Sequence, residues 1–174
     1  MSGRGSQLPA GSTEGKNGKV YLFADEFTNY NESEIGIKAV MLLTKLGYEV
    51  VIPKHRESGR TFLSKGMLDP AKRLATSNVL MLKDIVTAET PLVGLEPSAI
   101  LSFRDEYPEM VNDDLRDAAA LLASNAMLFE EFICREADKG LITPASFTKG
   151  KAKILLHGHC QQKAVASTVP TKRM

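Results

Sequence analysis

The amino-acid sequence predicts an α/β domain built on a mostly parallel, four-stranded sheet with helices on both faces. Two observations lead to this prediction. Short apolar runs, typical of strands that are buried on both faces, recur along the chain. Longer segments with apolar residues at helical spacing separate these runs, and a helical crossover between two strands of one sheet makes those strands parallel.

Four apolar runs are the predicted strands. The first is KVYLFAD, and the second is EVVIP. The third, PLVGL, and the fourth, AKILL, are equally short and rich in leucine, valine and isoleucine. In residue numbers the four predicted strands are 19–25, 49–53, 91–95 and 152–156.

The segments between the strands carry the pattern of amphipathic helices. Ile35, Ala39, Leu43 and Leu46 fall on one face of the first helix, and Gly47 is its expected end. The other predicted helices cover 59–88 with a break at Asp69–Pro70, 98–107 with an end before Pro108, 115–133, and a segment that begins near Gln161. Together with the strands they indicate a Rossmann-like, three-layer arrangement.

Length and composition indicate one globular domain. The chain has 174 residues, of which 43% are hydrophobic and 25% are charged, and its formal net charge is +1. These values exclude an intrinsically disordered chain and a coiled coil, and the near-neutral charge argues against nucleic acid as a partner. No apolar run approaches the ~20 residues of a membrane span. We therefore expect a soluble, cytoplasmic domain.

The first 18 residues differ in composition from the rest. They include five glycines and three serines, carry little to bury, and lack the apolar core of a signal peptide. We predict a flexible leader over residues 1–18 and one domain over residues 19–174.

Polar residues follow each predicted strand. The carboxyl ends of parallel strands lie at one edge of a sheet, where open α/β folds bind ligands, so these residues are expected to converge. The candidates are Asp25 after the first strand; His55, Glu57, Ser58, Gly59, Arg60 and Lys65 after the second; Glu96 after the third; and His157, His159 and Cys160 after the fourth.

Three kinds of chemistry are open to these residues. N–H groups at a helix start can bind a carboxylate or a phosphate with the help of basic side chains. Imidazole, thiolate and carboxylate groups can bind a single zinc or iron ion, and a cysteine beside a histidine base can act as a nucleophile or redox thiol. The anion-binding set is Ser58, Gly59, Arg60, Lys65 and Glu96. The metal-binding set is Asp25, His55, Glu57, His157 and Cys160, and the catalytic set is Cys160 with His157 and His159.

Purely structural interpretations are also open for these residues. Ser58 and Gly59 can form the N-cap and tight turn of a helix start, and Asp25 can cap a turn. Cys134 stands among apolar residues of a predicted helix and is expected to be a small buried side chain. The segment from His157 to Cys160 is compatible with a core histidine beside a free thiol.

Five segments carry a family resemblance: LFADEFTNYNESEIG, KLGYEVVIP, SGRTFLSKGMLDPAKRLA, VGLEPSAILSFRDEYPEM and LLHGHCQQKA. In this order they resemble the cysteine-rich, Cys-Cys-Gly (CCG) type domain of iron–sulfur oxidoreductases. Such domains stand at the C-terminus of FAD-linked D-lactate and glycolate dehydrogenases, and related ones occur in heterodisulfide reductases. The resemblance covers nearly all of residues 19–174 and implies an α/β domain.

The resemblance also implies a larger enzyme. The parent protein would oxidise a small 2-hydroxy acid at FAD and pass electrons through iron–sulfur clusters. The implied partners are a flavin domain and a ferredoxin-like domain of the same or another chain, together with a second CCG-type domain. We therefore expect this chain to be a piece of a longer oxidoreductase that is cytoplasmic, or peripheral to the inner membrane through its parent complex. Exposed Leu, Met and Phe side chains are expected to drive self-association of the isolated chain.

The chain departs from the family pattern where the family has cluster ligands. Glu57-Ser58-Gly59 stands in place of Cys-Cys-Gly, Ala99 replaces a cysteine, and Gln161 replaces a histidine beside Cys160. An iron–sulfur cluster needs about four thiolates, so we expect the cluster site to be degenerate. The domain is then expected to serve electron-transfer architecture or subunit docking. A metal- or carboxylate-binding module and a thiol-dependent enzyme that uses Cys160 remain the alternatives.

Overall fold

The computed structural model describes residues 15–150 and 152–174. Within these residues, four parallel strands form one sheet in the order β2-β1-β3-β4. The strands are β1 (Gly18–Phe23), β2 (Tyr48–Val51), β3 (Leu92–Gly94) and β4 (Ala126–Leu128). The predicted α/β class and its parallel four-stranded sheet are confirmed.

Helices account for most of the remaining described chain. They are α1 (Glu26–Tyr30), α2 (Ser33–Lys45), α3 (Arg60–Leu63), α4 (Leu68–Leu82), α5 (Pro97–Leu101), α6 (Glu106–Met110), α7 (Arg116–Asn125), α8 (Phe129–Asp138), α9 (Cys160–Val165) and α10 (Val169–Arg173), with 3-10 turns at Asp113–Leu115 and Pro144–Ser146. None of the helices described is both long enough and apolar enough to cross a membrane.

The core lies on both sides of the sheet, as a three-layer fold requires. Successive residues of a strand point to opposite faces, and β3 shows this directly. Leu92 packs into the cluster that α4, α5 and α7 cover, whereas Val93 packs into the cluster that α2 and α8 cover. All three residues of β3 are buried. The strand therefore has an uninterrupted apolar sequence without the alternation of a half-buried strand.

The prediction of the fourth strand is wrong in its position. The fourth strand is Ala126–Leu128, which lies inside the single helix predicted over 115–133 and divides it into α7 and α8. Three residues are too few to show strand alternation, and the apolar spacing of the two helices runs on across them. The segment predicted as the fourth strand, 152–156, lies outside the sheet. Its Ile154 and Leu155 are 82% and 88% exposed.

The predicted helix over 98–107 is also corrected. The structure has two short helices there, α5 and α6, and Pro108 lies inside α6 instead of after its end. Pro108 is the third residue of α6, where a backbone N–H has no partner within the helix, so proline costs no hydrogen bond.

Most of the predicted leader over residues 1–18 lies outside the described residues, which begin at residue 15. Asn17 and Gly18 belong to the fold. The Asn17 side chain donates a hydrogen bond to the carbonyl of Leu46 (2.7 Å), and Gly18 is the first residue of β1.

Candidate functional site

The candidate site lies at the carboxyl ends of β1, β2 and β3. The loops that follow these strands meet there because the strands are parallel neighbours. At the end of β3, a Cβ on Gly94 would collide with the Ile100 side chain of α5. Glycine therefore lets α5 pack directly against the strand, and this packing positions the loop that contains Glu96.

Asp25 caps α1. One of its carboxylate oxygens accepts hydrogen bonds from the N–H groups of Phe27 and Thr28, each at 2.9 Å, and the other accepts from the Thr28 hydroxyl at 2.6 Å. Burial raises the pKa of the Asp25 carboxyl above its ordinary value, although these hydrogen bonds work in the opposite direction. The capping interpretation accounts for these contacts of Asp25.

Glu26 holds the loop after β2. Its carboxylate accepts one hydrogen bond from the Ser58 N–H (2.8 Å) and another from the Ser58 hydroxyl (2.6 Å). The Ser58 hydroxyl oxygen in turn accepts from the Arg60 N–H at 3.1 Å. The anion that contacts Ser58 is therefore the carboxylate of Glu26 in the same chain.

A buried polar network supports the same loop from the other side. The Asn78 side chain, on α4, accepts from the Arg56 N–H (2.7 Å) and donates to the Glu57 carbonyl (3.0 Å) and to the Tyr107 hydroxyl (2.9 Å). Tyr107 donates its own proton to the Ser58 carbonyl at 2.8 Å. Burial raises the pKa of the Tyr107 phenol, which keeps that proton in place.

His55 packs against the end of β1. Its ring lies 4.5 Å from the Phe23 ring, centroid to centroid, and its Nδ1 lies 2.8 Å from the Arg56 carbonyl oxygen. A carbonyl oxygen only accepts, so Nδ1 carries the hydrogen and Nε2 is the acceptor. Burial lowers the pKa of His55, although the Arg56 carbonyl and the carboxylates of Asp25 and Glu26 oppose this shift. His55 is therefore neutral at pH 7.

The predicted anion-binding set is not assembled as one site. Arg60 forms an ion pair with Glu106 of α6, and Lys65 follows the end of α3 and is exposed. Gly59 adopts a left-handed conformation (φ 80°) as the N-cap of α3, which makes the tight turn expected of it. Glu96 caps α5 by accepting from the N–H and hydroxyl of Ser98, at 3.0 and 2.6 Å.

The segment from His157 to Cys160 reaches this edge through α9. His159 is the N-cap of α9, and its Nε2 lies 3.6 Å from Glu96 Oε1. Its Nδ1 accepts from the Gln161 N–H at 3.2 Å. His157 and Cys160 are exposed, and Cys160 is the first residue of α9.

The five residues of the predicted metal set are not gathered into one group. Among the described residues, no cluster of three or more His, Cys, Asp or Glu side chains is arranged to hold a metal ion. Both carboxylate oxygens of Asp25 already accept hydrogen bonds in the N-cap of α1. The Nδ1 of His55 is already hydrogen-bonded to the Arg56 carbonyl. The metal-binding role of Glu57, His157 and Cys160 stays a prediction.

The donor set does not fit an iron–sulfur cluster. Two positions where the resembled family has cysteines hold Ser58, whose hydroxyl is bonded to Glu26, and Ala99, which is fully buried in the apolar core. The second cysteine of the chain, Cys134, is buried on α8 as expected, with its Sγ 3.5 Å from the Pro170 carbonyl. One exposed thiol, Cys160, cannot replace about four thiolates.

Three residues that organise the site were absent from the predicted sets: Glu26, Asn78 and Tyr107. A sequence signal existed for Asn78, because a polar residue stands on the buried face of α4 among alanines, valine and leucine. Glu26 stood directly after β1 beside Asp25, but its pairing with Ser58 joins residues 32 positions apart. No local pattern could indicate that contact.

The chain is similar to segments of known dehydrogenases. It is 31% identical over 116 residues to a D-2-hydroxyglutarate dehydrogenase of Pantoea ananatis, in a match that covers 67% of this chain and 11% of that protein. The Escherichia coli protein of the same name is 28% identical over 118 residues, which are 68% of this chain and 12% of that protein. One subunit of the anaerobic glycerol-3-phosphate dehydrogenase of E. coli is 25% identical over 155 residues, which are 88% of this chain and 38% of that protein.

The chain thus spans about a tenth of the D-2-hydroxyglutarate dehydrogenases it matches. No family model matches the chain, and no solved structure matches it. The similarities support an oxidoreductase-related domain, and the resemblance to dehydrogenases found in the sequence is confirmed at that level. The assignment to the CCG type stays a prediction.

Proposed function

We propose that this chain is a CCG-type domain of a flavin- and iron–sulfur-linked oxidoreductase in which the cluster position has become a hydrogen-bonded protein network. In this role the domain docks neighbouring domains and holds the electron-transfer assembly together, without a cluster of its own. The parent enzyme would act on a small 2-hydroxy acid in the cytoplasm, free or peripheral to the inner membrane. The similarity to a subunit of one dehydrogenase and to segments of another supports such an assembly.

One observation carries the proposal: the Glu26 carboxylate accepts both hydrogen bonds that Ser58 can donate. A cysteine at position 58 would present a thiolate to a cluster at this edge of the sheet. Serine with a carboxylate partner instead forms a charge-assisted pair, which joins the loop after β2 to α1. The pair ties two loops of the sheet edge together, and it engages both hydrogen-bond donors of Ser58.

The network also explains how a cluster-free site keeps its shape. Asn78 and Tyr107 bond three successive backbone groups of the loop, those of Arg56, Glu57 and Ser58. A metal cluster would otherwise cross-link such a loop to its neighbours. Here buried hydrogen bonds do so, and a rigid surface remains for docking.

Iron–sulfur reconstitution of the wild-type chain tests the proposal, and a variant with restored thiols serves as the comparison. The triple variant Glu57→Cys, Ser58→Cys, Ala99→Cys and the wild-type chain are both incubated with ferrous iron and sulfide without oxygen and then desalted. Iron, acid-labile sulfide and the visible absorption spectrum are measured on each. We expect the wild type to retain neither iron nor sulfide, because it supplies one exposed thiol. Stoichiometric iron and sulfide in the wild type would overturn the proposal, whatever the triple variant binds.

A further inference from the structure

A cavity lies beside the loop after β2, next to the network just described. Its volume is about 500 Å³, within the range of small-molecule sites. The loop supplies His55, Arg56 and Glu57 to its wall, while α4 supplies Arg73 and Leu74.

The two arginines of this cavity differ from the other arginines of the described chain. Seven arginines are described, and five of them form ion pairs with carboxylates: Arg60, Arg104, Arg116, Arg135 and Arg173. Within the described residues, Arg56 and Arg73 have no carboxylate oxygen within ion-pair distance, and both line the same cavity. The cavity lining holds two arginines and a single acidic residue, Glu57, so the lining has an excess of positive charge.

The framework of the fold supports the backbone that carries both arginines. The backbone N–H of Arg56 is bonded to the buried Asn78 side chain at 2.7 Å, and Asn78 lies on the same helix as Arg73. The two side chains therefore project from one supported unit, α4 with the loop that it carries. Guanidinium groups bind carboxylates and phosphates well, because their planar set of N–H donors matches two oxyanion oxygens at once.

His55 adds a group that can accept a hydrogen bond. Its Nδ1 hydrogen is engaged by the Arg56 carbonyl, so the unprotonated Nε2 is the free ring nitrogen. Among the described residues no donor is bonded to this Nε2. Phe62 and Leu74 supply an apolar part of the wall. The lining thus combines cationic and apolar surfaces with one hydrogen-bond acceptor.

We propose that this cavity binds a small organic oxyanion, a carboxylate or a phosphate ester, through the guanidinium groups of Arg56 and Arg73. This site differs from the anion site predicted at Arg60 and Lys65, since Arg60 is neutralised by Glu106. The proposal goes beyond the docking role, and it does not depend on the absence of a cluster.

Isothermal titration calorimetry on the full chain tests the site, with citrate as the carboxylate probe and inorganic pyrophosphate as the phosphate probe. The variants are Arg56→Gln and Arg73→Gln. The matched control is Arg116→Gln, which removes an exposed arginine from the start of α7. Circular dichroism confirms that each variant is folded.

We expect at least one probe to bind with one site per chain. Each cavity variant should weaken that binding about tenfold or more, while the control changes it less than about twofold. The probe that binds more tightly identifies the oxyanion class. The proposal is overturned if neither probe binds, if either cavity variant binds as tightly as wild type, or if the control loses as much as the cavity variants.

Discussion

Replacement of Asn78 by alanine should destabilise the protein strongly, although Asn78 is a polar residue. The side chain is fully buried and makes three hydrogen bonds, two of them to the backbone of the loop that carries His55 and Ser58. Alanine removes all three bonds at once. The part-buried Arg56 N–H and Glu57 carbonyl then lose their protein partners.

The expected magnitude follows from these three bonds. At about 1 kcal/mol for each intramolecular hydrogen bond, Asn78→Ala should lower the free energy of unfolding by about 3 kcal/mol. For a chain of this length, that loss corresponds to a fall of about 6–12 °C in Tm. The neighbouring control Ser77→Ala removes one exposed hydroxyl contact within the same helix, and it should change stability by less than about 0.5 kcal/mol.

Urea unfolding followed by far-UV circular dichroism measures both variants. Hydrogen exchange adds a local readout, because the Arg56 amide should lose protection in Asn78→Ala more than the amides of β1 do. The reasoning is refuted if Asn78→Ala unfolds within about 0.5 kcal/mol of the wild type, or if the Arg56 amide stays as protected as before.

Three further predictions concern other groups. Burial lowers the pKa of His55 in the folded protein, so the unfolded chain binds the imidazole proton more tightly. The free energy of unfolding should therefore fall as the pH drops below about 6.5. Over the same pH range, the urea midpoint of the His55→Gln variant should fall less than that of the wild type. Arg104 and Glu131 form an ion pair at the outer edge of β4. Arg104 donates a hydrogen bond to the Ala126 carbonyl (2.7 Å), and Glu131 accepts one from the Leu128 N–H (2.9 Å). Arg104→Gln should lower the free energy of unfolding by about 2 kcal/mol and increase association in light scattering, and an unchanged variant would contradict this. Maleimide should label exposed Cys160 about tenfold faster than buried Cys134, whereas equal rates would show that α10 does not cover Cys134.

The sequence was sufficient to predict the parts of the fold that depend on local pattern. The buried runs of β1, β2 and β3 and the amphipathic face of α2 gave the class and three of the four strands. Strand β4 was missed because three residues between two helices carry no pattern of their own. Residues 152–156 have the composition of a buried strand, yet they lie exposed, and composition alone does not specify a pairing partner.

The sequence predicts where the site lies in the fold, but it does not predict which hydrogen bonds its residues form. The sheet edge and its residues Asp25, His55 and Ser58 follow from the parallel topology. Their roles depend on which atom bonds which, and these contacts join distant segments. The Tyr107 hydroxyl meets the Ser58 carbonyl across 49 positions of sequence, and the Glu26 carboxylate meets Ser58 across 32. Only the packing of α1, α4 and α6 on one sheet edge decides such pairs.

The central claim is that the Glu26 carboxylate engages both hydrogen-bond donors of Ser58, and a double-mutant cycle measures the strength of this pairing. The free energy of unfolding is determined for wild type, Glu26→Ala, Ser58→Ala and the double variant. A hydrogen bond of 2.6 Å to a charged carboxylate should give a coupling energy of about 1.5 kcal/mol or more. Additive effects, with a coupling below about 0.3 kcal/mol, would contradict the claim and leave Ser58 free to serve a ligand.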